Sequence, residues 1–195
     1  MEISPIYYAK PDYIETGKTK NYLFELTEFF QTQEIKYQER ILGGKTIIEN
    51  DVIVRGDLRR IGGGHAVVVS VGRYCLLSAN SVIRPPYKIY KGVFSYYPIK
   101  IGDHVHIGKD SVIESASIGS YVVIGKDCVI GRFSIIKDCC KILDGSVVAP
   151  NTVIPSFSVF GGNPASLIEE LPECVLEYFE SLTKDYYHNK FLSDK

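Results

Sequence analysis

Two histidines set two positions apart, His104 and His106, are the first residues whose type and spacing carry chemistry. Residues two apart on an extended strand share a face. Both imidazoles would then point the same way, and with a third donor they would hold zinc. The pair reads as two plain surface histidines on a strand in preference to a zinc site, and no third donor stands beside them in sequence. His104 is also the leading candidate for a general base, with His65 and His106 behind it; such a base would take a proton from a substrate hydroxyl or amine. No orienting partner is identifiable in sequence. Lys137-Asp138-Cys139-Cys140-Lys141 raises the question of a redox pair. Neighbouring residues on a strand point to opposite faces, so Cys140 is expected inward and Cys139 outward. Arg55-Gly56-Asp57 reads as an intersubunit or intercoil ion pair in preference to an adhesion tripeptide. The aromatics of residues 84–98 read as packing against the body or a partner in preference to lining a substrate pocket.

The elements that must position these residues follow a period of six. Ile118, Ile124, Ile130, Ile136, Ile142, Val148, Ile154 and Phe160 recur every six residues. Four places after each of the first seven stands a small or β-branched residue: Val122, Cys128, Ser134, Cys140, Ser146, Thr152 and Ser158. The small residue and the next large one are two apart, so both point inward. A helix would need returns at three, four and seven. A six-residue period marks a parallel β-helix. Glycine after the large residue, as at Gly119, Gly125 and Gly131, fits a corner that a side chain would obstruct. The pattern extends upstream through Leu42, Ile48 and Val54, through Val71, Leu77 and Ile83, and through Ile101 and Ile107. From Ile113 to Ile118 the step is five, so one residue is missing at a corner. About six coils at roughly 4.8 Å each would make a rod on the order of 30 Å long.

Length and composition fit one domain: 195 residues, 45% hydrophobic, net charge −1. No basic surface for nucleic acid and no polybasic or membrane-inserting segment is evident. The first residues do not read as a secretory signal. Of the five cysteines, Cys75, Cys128 and Cys140 occupy the small inward slot and read as buried apolar fillers in a reducing compartment. The expected organisation is an N-terminal extension or cap over 1–40, a β-helix over 41–166 with an external loop at 84–98, and a C-terminal helix over 167–195. Residues 21–40 read as a short helix or an added strand. RRIGGGHAVV at 59–68 interrupts the first coils. In the C-terminal segment Leu171, Val175, Tyr178 and Leu182 give the helical steps, with Pro172 suited to a first turn. Solenoids need capped ends; the 21–40 segment closes one end, the helix covers a side, and a partner chain closes the other end.

Over about 45–165 the chain resembles γ-class carbonic anhydrases, sharing VRGDL at 54–58 and the order of coils after it. The resemblance places that family's three zinc histidines at Arg84, Lys109 and Glu114. Two cations and a single carboxylate do not hold zinc, so this reading is disfavoured. VFGGNPASLI at 159–168 is similar to the closing segment of hexapeptide acetyltransferases, which makes a homotrimeric hexapeptide-repeat acyltransferase the alternative function.

A broader resemblance, over about 41–160 and again near 170–190, is to the dynactin subunit 5 family of pointed-end β-helix subunits. It is carried by YIET at 13–16, GKTII at 44–48, VRGDL at 54–58, SVIRPP at 81–86, IGDHV at 101–105, IGSYVVIGKDCVIGR at 118–132, KDCCKILD at 137–144 and ELPEC at 170–174. SVIRPP and KDCCKILD are the specific parts, because the hexad rule demands neither. The chain departs from the family in a longer 21–40 segment, the RRIGGGHAV insertion and the GGNPAS ending. The resemblance implies an all-β fold, a left-handed parallel β-helix of hexapeptide repeats with a C-terminal α-helix. It implies a non-catalytic structural subunit, with no catalytic, metal-binding or cofactor-binding residues and no cofactor. Its implied setting is cytoplasmic and cytoskeleton-associated, in dynein-based microtubule transport. The implied partners are a second β-helical dynactin subunit, a pointed-end actin-related protein, a zinc-containing dynactin subunit and dynein cargo adaptors.

Overall fold

The large residues of the hexads stack directly above one another, one wall of a prism for every third hexad. The structure, a computed structural model, describes residues 22–24, 40–56 and 68–192. On the first wall the parallel register runs Leu42, Val71, Ile101, Ile118, Ile136, Ile154. On the second it runs Ile48, Leu77, Ile107, Ile124, Ile142, Phe160. On the third it runs Val54, Ile83, Ile113, Ile130, Val148. The three sheets hold six, five and eight strands, the eight including one antiparallel strand at each end of the second wall. Tyr22–Phe24 is the first of these end strands, so this part of the 21–40 segment is an added strand. Other readings within 1–21, 25–39 and 57–67, including His65 and the ion pair of Asp57, lie outside the described residues.

The large residues are sealed: Leu77, Ile83, Ile107, Ile113, Ile130, Ile136 and Ile154 are all 0% exposed. Each contributes about 1.5–3 kcal/mol by leaving water. The small slot shares that interior, but its residues do more than fill space. Thr46 Oγ1 donates to Gly72 O, Cys75 Sγ to Gly102 O, Ser111 Oγ to Gly125 O, and Cys128 Sγ to Leu143 O. The thiols expected as apolar fillers are therefore corner donors, satisfying carbonyls that strand pairing leaves over.

Corners obey a second rule. Strand N–H groups donate up the stack, as in Val123 N to Cys140 O and Ile135 N to Thr152 O. The residue before each small slot takes a positive φ and turns its N–H back down the stack: His104 N to Arg73 O, Tyr121 N to Asp103 O, Cys139 N to Ser120 O. The conformation costs about 1–2 kcal/mol for a residue with a Cβ, and the hydrogen bond offsets about 0.5–1.5. Aspartates also cap the coil below them: Asp103, Asp138 and Asp144 accept from the backbone N–H of Arg73, Ser120 and Lys126. Glycine after the large residue is needed because coils touch there. A Cβ on Gly108 would lie 2.4 Å from the backbone of Gly125.

The excursion over residues 84–98 leaves the third corner, after Ile83. Residues 84–98 contain a hairpin, Tyr87–Tyr90 and Val93–Tyr96, reversed at Lys91-Gly92 with φ of 49° and 75°, the geometry of a tight two-residue loop. At the far end, Ser158–Gly162 folds back on Ala165–Glu170. The helix expected from residue 167 therefore begins only at Val175 and runs Val175–Leu192, because residues 165–170 take their backbone partners from the last coil. Its buried face is also shifted from the expected one. Val175, Phe179, Thr183 and Tyr187 are buried at four-residue steps, whereas Tyr178 is 62% exposed.

Replacing Gly108 by alanine should lower stability by about 1–3 kcal/mol, the cost of overpacking against a rigid backbone. Gly44→Ala, where the space is open, should be nearly neutral in the same thermal melt. Ile124→Asp would bury an unpaired carboxylate and should cost several kcal/mol. Lys126→Asp at the exposed corner should cost little, and equal melting temperatures for these two variants would contradict the inward assignment.

Candidate functional site

The first corner gathers the chain's best sequence candidates into a ladder. Tyr74, His104 and Tyr121 all hold the positive-φ position in successive coils. Their rings stack in parallel, with His104 5.0 Å from Tyr74 and 4.9 Å from Tyr121 between ring centroids. Cys139 and Phe157 continue the column. The C-terminal helix lies along it, against the direction of coil stacking. Val175 and Phe179 pack on Cys139, Phe157 and Tyr121, and Tyr187 packs on Ile47, Leu76 and Tyr74. Nearer the first coil, Tyr186 OH donates to Glu49 Oε1 at 2.7 Å.

His104 is the midpoint of this seam. Its Nδ1 lies 2.7 Å from Thr183 Oγ1, and that hydroxyl donates to the Phe179 carbonyl. The hydroxyl proton is thereby committed, so the histidine ring is assigned as the donor in a neutral Nδ1–H tautomer. Burial pushes the His104 pKa below its ordinary value, outweighing the carboxylates of Glu180 and Asp103, which act the other way. His104 is only 7% exposed. A general base needs a lone pair within reach of a substrate proton; in this tautomer the lone pair is on Nε2, and the ring that carries it is buried between Tyr74, Tyr121 and the helix. His106 does not share its face. It lies on the outer surface of the second wall with Nε2 3.3 Å from Ser78 Oγ, under Leu182 and Tyr186, and burial lowers its pKa too. No group of three or more His, Cys, Asp and Glu side chains suited to a metal occurs among the described residues.

The thiols are equally enclosed. Burial raises the pKa of Cys75 to about 12 and raises those of Cys128, Cys139 and Cys140. Cys139 does point away from the coil interior, as expected, but the helix covers it to 1% exposure. Raised pKa and burial make unreactive thiols. Cys174 is the exposed one.

The three positions aligned with zinc histidines separate in space. Arg84 and Glu114 meet at the third corner, where the Arg84 guanidinium binds Glu114 directly and Arg132 Nε approaches the other Glu114 oxygen at 3.6 Å. Lys109 stands exposed at the second corner, after Ile107. An arginine–glutamate–arginine cluster thus occupies the ground where two of the three ligands would stand. Sequence reasoning missed Arg132, although its place after Ile130 in the hexad series puts it at the corner of Arg84 and Glu114.

Beside that cluster the hairpin and the coil corner enclose a cleft of about 630 Å³, lined by Tyr87, Lys88, Tyr97, Arg132, Phe133 and Asn151 among others. Arg132 lies over the Tyr87 ring, 4.4 Å from its centroid, and Tyr97 meets Phe133 edge-on at 5.4 Å. The loop aromatics do pack against the body, as expected. Tyr87 and Tyr97 also leave a recess.

A family profile described as dynactin subunit 5 matches residues 1–194. Over 189 residues the chain is 40% identical to the dynactin subunit 5 of Dictyostelium discoideum, covering 97% of this chain and 88% of that one. It is 27% identical over 134 residues to the mitochondrial gamma carbonic anhydrase 2 of Arabidopsis thaliana, spanning 69% of this chain but 45% of that protein. Among solved structures, a hexapeptide transferase family protein from Anaplasma phagocytophilum superimposes with a TM-score of 0.61 at 16% identity, covering 77% of this chain and 79% of that one. A maltose O-acetyltransferase from Clostridium difficile 630 superimposes with a TM-score of 0.53 at 20% identity, covering 73% and 80%. These likenesses establish the fold, a left-handed parallel β-helix of hexapeptide repeats.

Because the folded pKa of His104 lies below that of the unfolded chain, protons favour unfolding. The stability from this group is fully present above about pH 6.5 and is lost as pH falls below it. Thermal melts should show a drop in melting temperature between pH 7.5 and 5.5, and His104→Gln should reduce that drop; an unchanged drop would remove His104 as its source. A native thiol titration with a disulfide reagent should find one fast thiol, Cys174, and the other four cysteines only after unfolding.

Proposed function

The chain belongs to the dynactin subunit 5 family, and from that premise we propose that it is a non-catalytic structural subunit of dynactin. The observation that carries this is the 40% identity maintained along 97% of the chain. The geometry supports it. The histidine best placed by sequence to act as a base is buried in a ring stack under the helix, and an ion cluster fills the corner that a zinc site would need. A rigid rod with ordered walls presents docking surface at almost no entropic cost.

Within dynactin, the chain works at the pointed end of the actin-like filament. It pairs there with a second β-helical subunit, beside an actin-related protein and a zinc-containing subunit, and supports cargo-adaptor binding in dynein-driven transport. Its setting is cytoplasmic and cytoskeleton-associated. The organisation behind this is a cap built from residues 1–40, a β-helix over 41–166 and a C-terminal covering segment. A homotrimeric acyltransferase is the competing reading, suggested by VFGGNPASLI at 159–168. It requires an open imidazole at a subunit boundary, and His104 is not open.

Native purification of the tagged chain from cell extract should yield a stable one-to-one pairing with another β-helical protein, accompanied by dynactin components. A free homotrimer without them would reject the proposal. Calorimetry with millimolar acetyl-coenzyme A should give no binding heat; binding that His104→Ala abolishes would favour the enzyme.

A further inference from the structure

The third corner carries more positive charge than its ion pairs neutralise. Arg84 and Arg132 share a single carboxylate, Glu114. Lys88, exposed on the hairpin above them, makes no ion pair among the described residues. Lys88 and Arg132 line the 630 Å³ cleft, and among the described residues no aspartate or glutamate lines it. A concavity of that size with a few convergent polar groups is the ordinary form of a recognition site.

The lining selects its occupant twice over. Its cations demand an anion, and a guanidinium offers the paired donors that suit a carboxylate. Its three rings, Tyr87, Tyr97 and Phe133, demand a flat or aliphatic body beside that anion. Asn151 adds an amide able to donate or accept at the rim. A nucleic acid would need a track of cations along the rod; Arg84, Lys88 and Arg132 cluster at one corner of a chain whose net charge is −1. We propose that the cleft docks an acidic segment of a partner protein. An aspartate or glutamate carboxylate of that segment meets Lys88 and Arg132, and an adjoining aromatic or long aliphatic side chain packs on the three rings. The inference stands on the cleft alone and does not depend on which assembly the chain joins.

The test is selection of a random heptapeptide display library on the intact purified chain. Retained sequences should be enriched in aspartate or glutamate next to an aromatic or aliphatic residue. A synthetic peptide of the enriched sequence should bind the wild type and Lys141→Glu, a charge change on the outer face of the second wall, equally well. Lys88→Glu and Arg132→Gln should each weaken it about tenfold or more, the worth of one charge-assisted hydrogen bond. Thermal melts of the variants verify folding, and Lys88, being exposed, serves as the test if Arg132→Gln fails to fold. The proposal is overturned by no enrichment, by enrichment without acidic residues, by equal binding to Lys88→Glu, or by a single-stranded DNA oligomer displacing the peptide more effectively than the peptide itself.

Discussion

Everything in this molecule hangs on one spacing, the repeat of about 4.8 Å at which a parallel strand accepts the next. Coils this close leave no room for a side chain where their corners touch, which is why Gly72, Gly102, Gly108, Gly119 and Gly125 each have backbone or aspartate atoms within 3 Å of where a Cβ would stand. The same closeness puts each coil's carbonyls above the amides of the one before it. A corner residue must flip its peptide to share in that ladder, and so tyrosine, histidine, phenylalanine and cysteine all adopt a positive φ in this chain. From Tyr74 onward the strain is answered at each such corner by a backbone hydrogen bond to the coil before.

Stacking also encloses the residues whose types are best suited to chemistry. Successive corner positions lie on top of one another, so a histidine there becomes a layer in a ring stack between Tyr74 and Tyr121. The helix then closes over the column and recruits the free imidazole nitrogen through Thr183. A buried polar group must be satisfied, and His104 is satisfied from within. The third corner is different. There two arginines compete for one glutamate, and the hairpin holds the site partly open.

The prism was legible because its period is strict: Ile118 to Phe160 foretells three walls' worth of register without any structural input, and the five-residue step after Ile113 falls at a real corner. The family-specific strings were recognisable but not explicable from sequence alone. In KDCCKILD, Asp138 and Asp144 cap the coil below, Cys140 donates to the Pro155 carbonyl and Cys139 seats the helix. In SVIRPP, Arg84 finds Glu114 a full coil away. Such roles depend on residues about 18 or 30 positions distant, which a local pattern does not connect. The helix boundary was misread for a related reason. Leu167 and Ile168 belong to a strand whose partner is the preceding coil, and amphipathic spacing cannot reveal a partner. The buried helical face was off by one position because Tyr178 and Phe179 are both aromatic and only packing chooses between them.

The irregularities share an address. From Val54 to Val71 the chain takes seventeen residues where six would close the turn, from Ile83 to Ile101 eighteen, and from Ile113 to Ile118 five. All three lie between the third wall and the first, and the other two edges never vary in the described coils. Chain length is thus a free variable along a single seam. Lengthening a surface loop costs only a slowly growing closure entropy, so this seam can gain or shed whole appendages while the hydrophobic column behind it stays in phase. Diversification of the scaffold is confined to one line on its exterior.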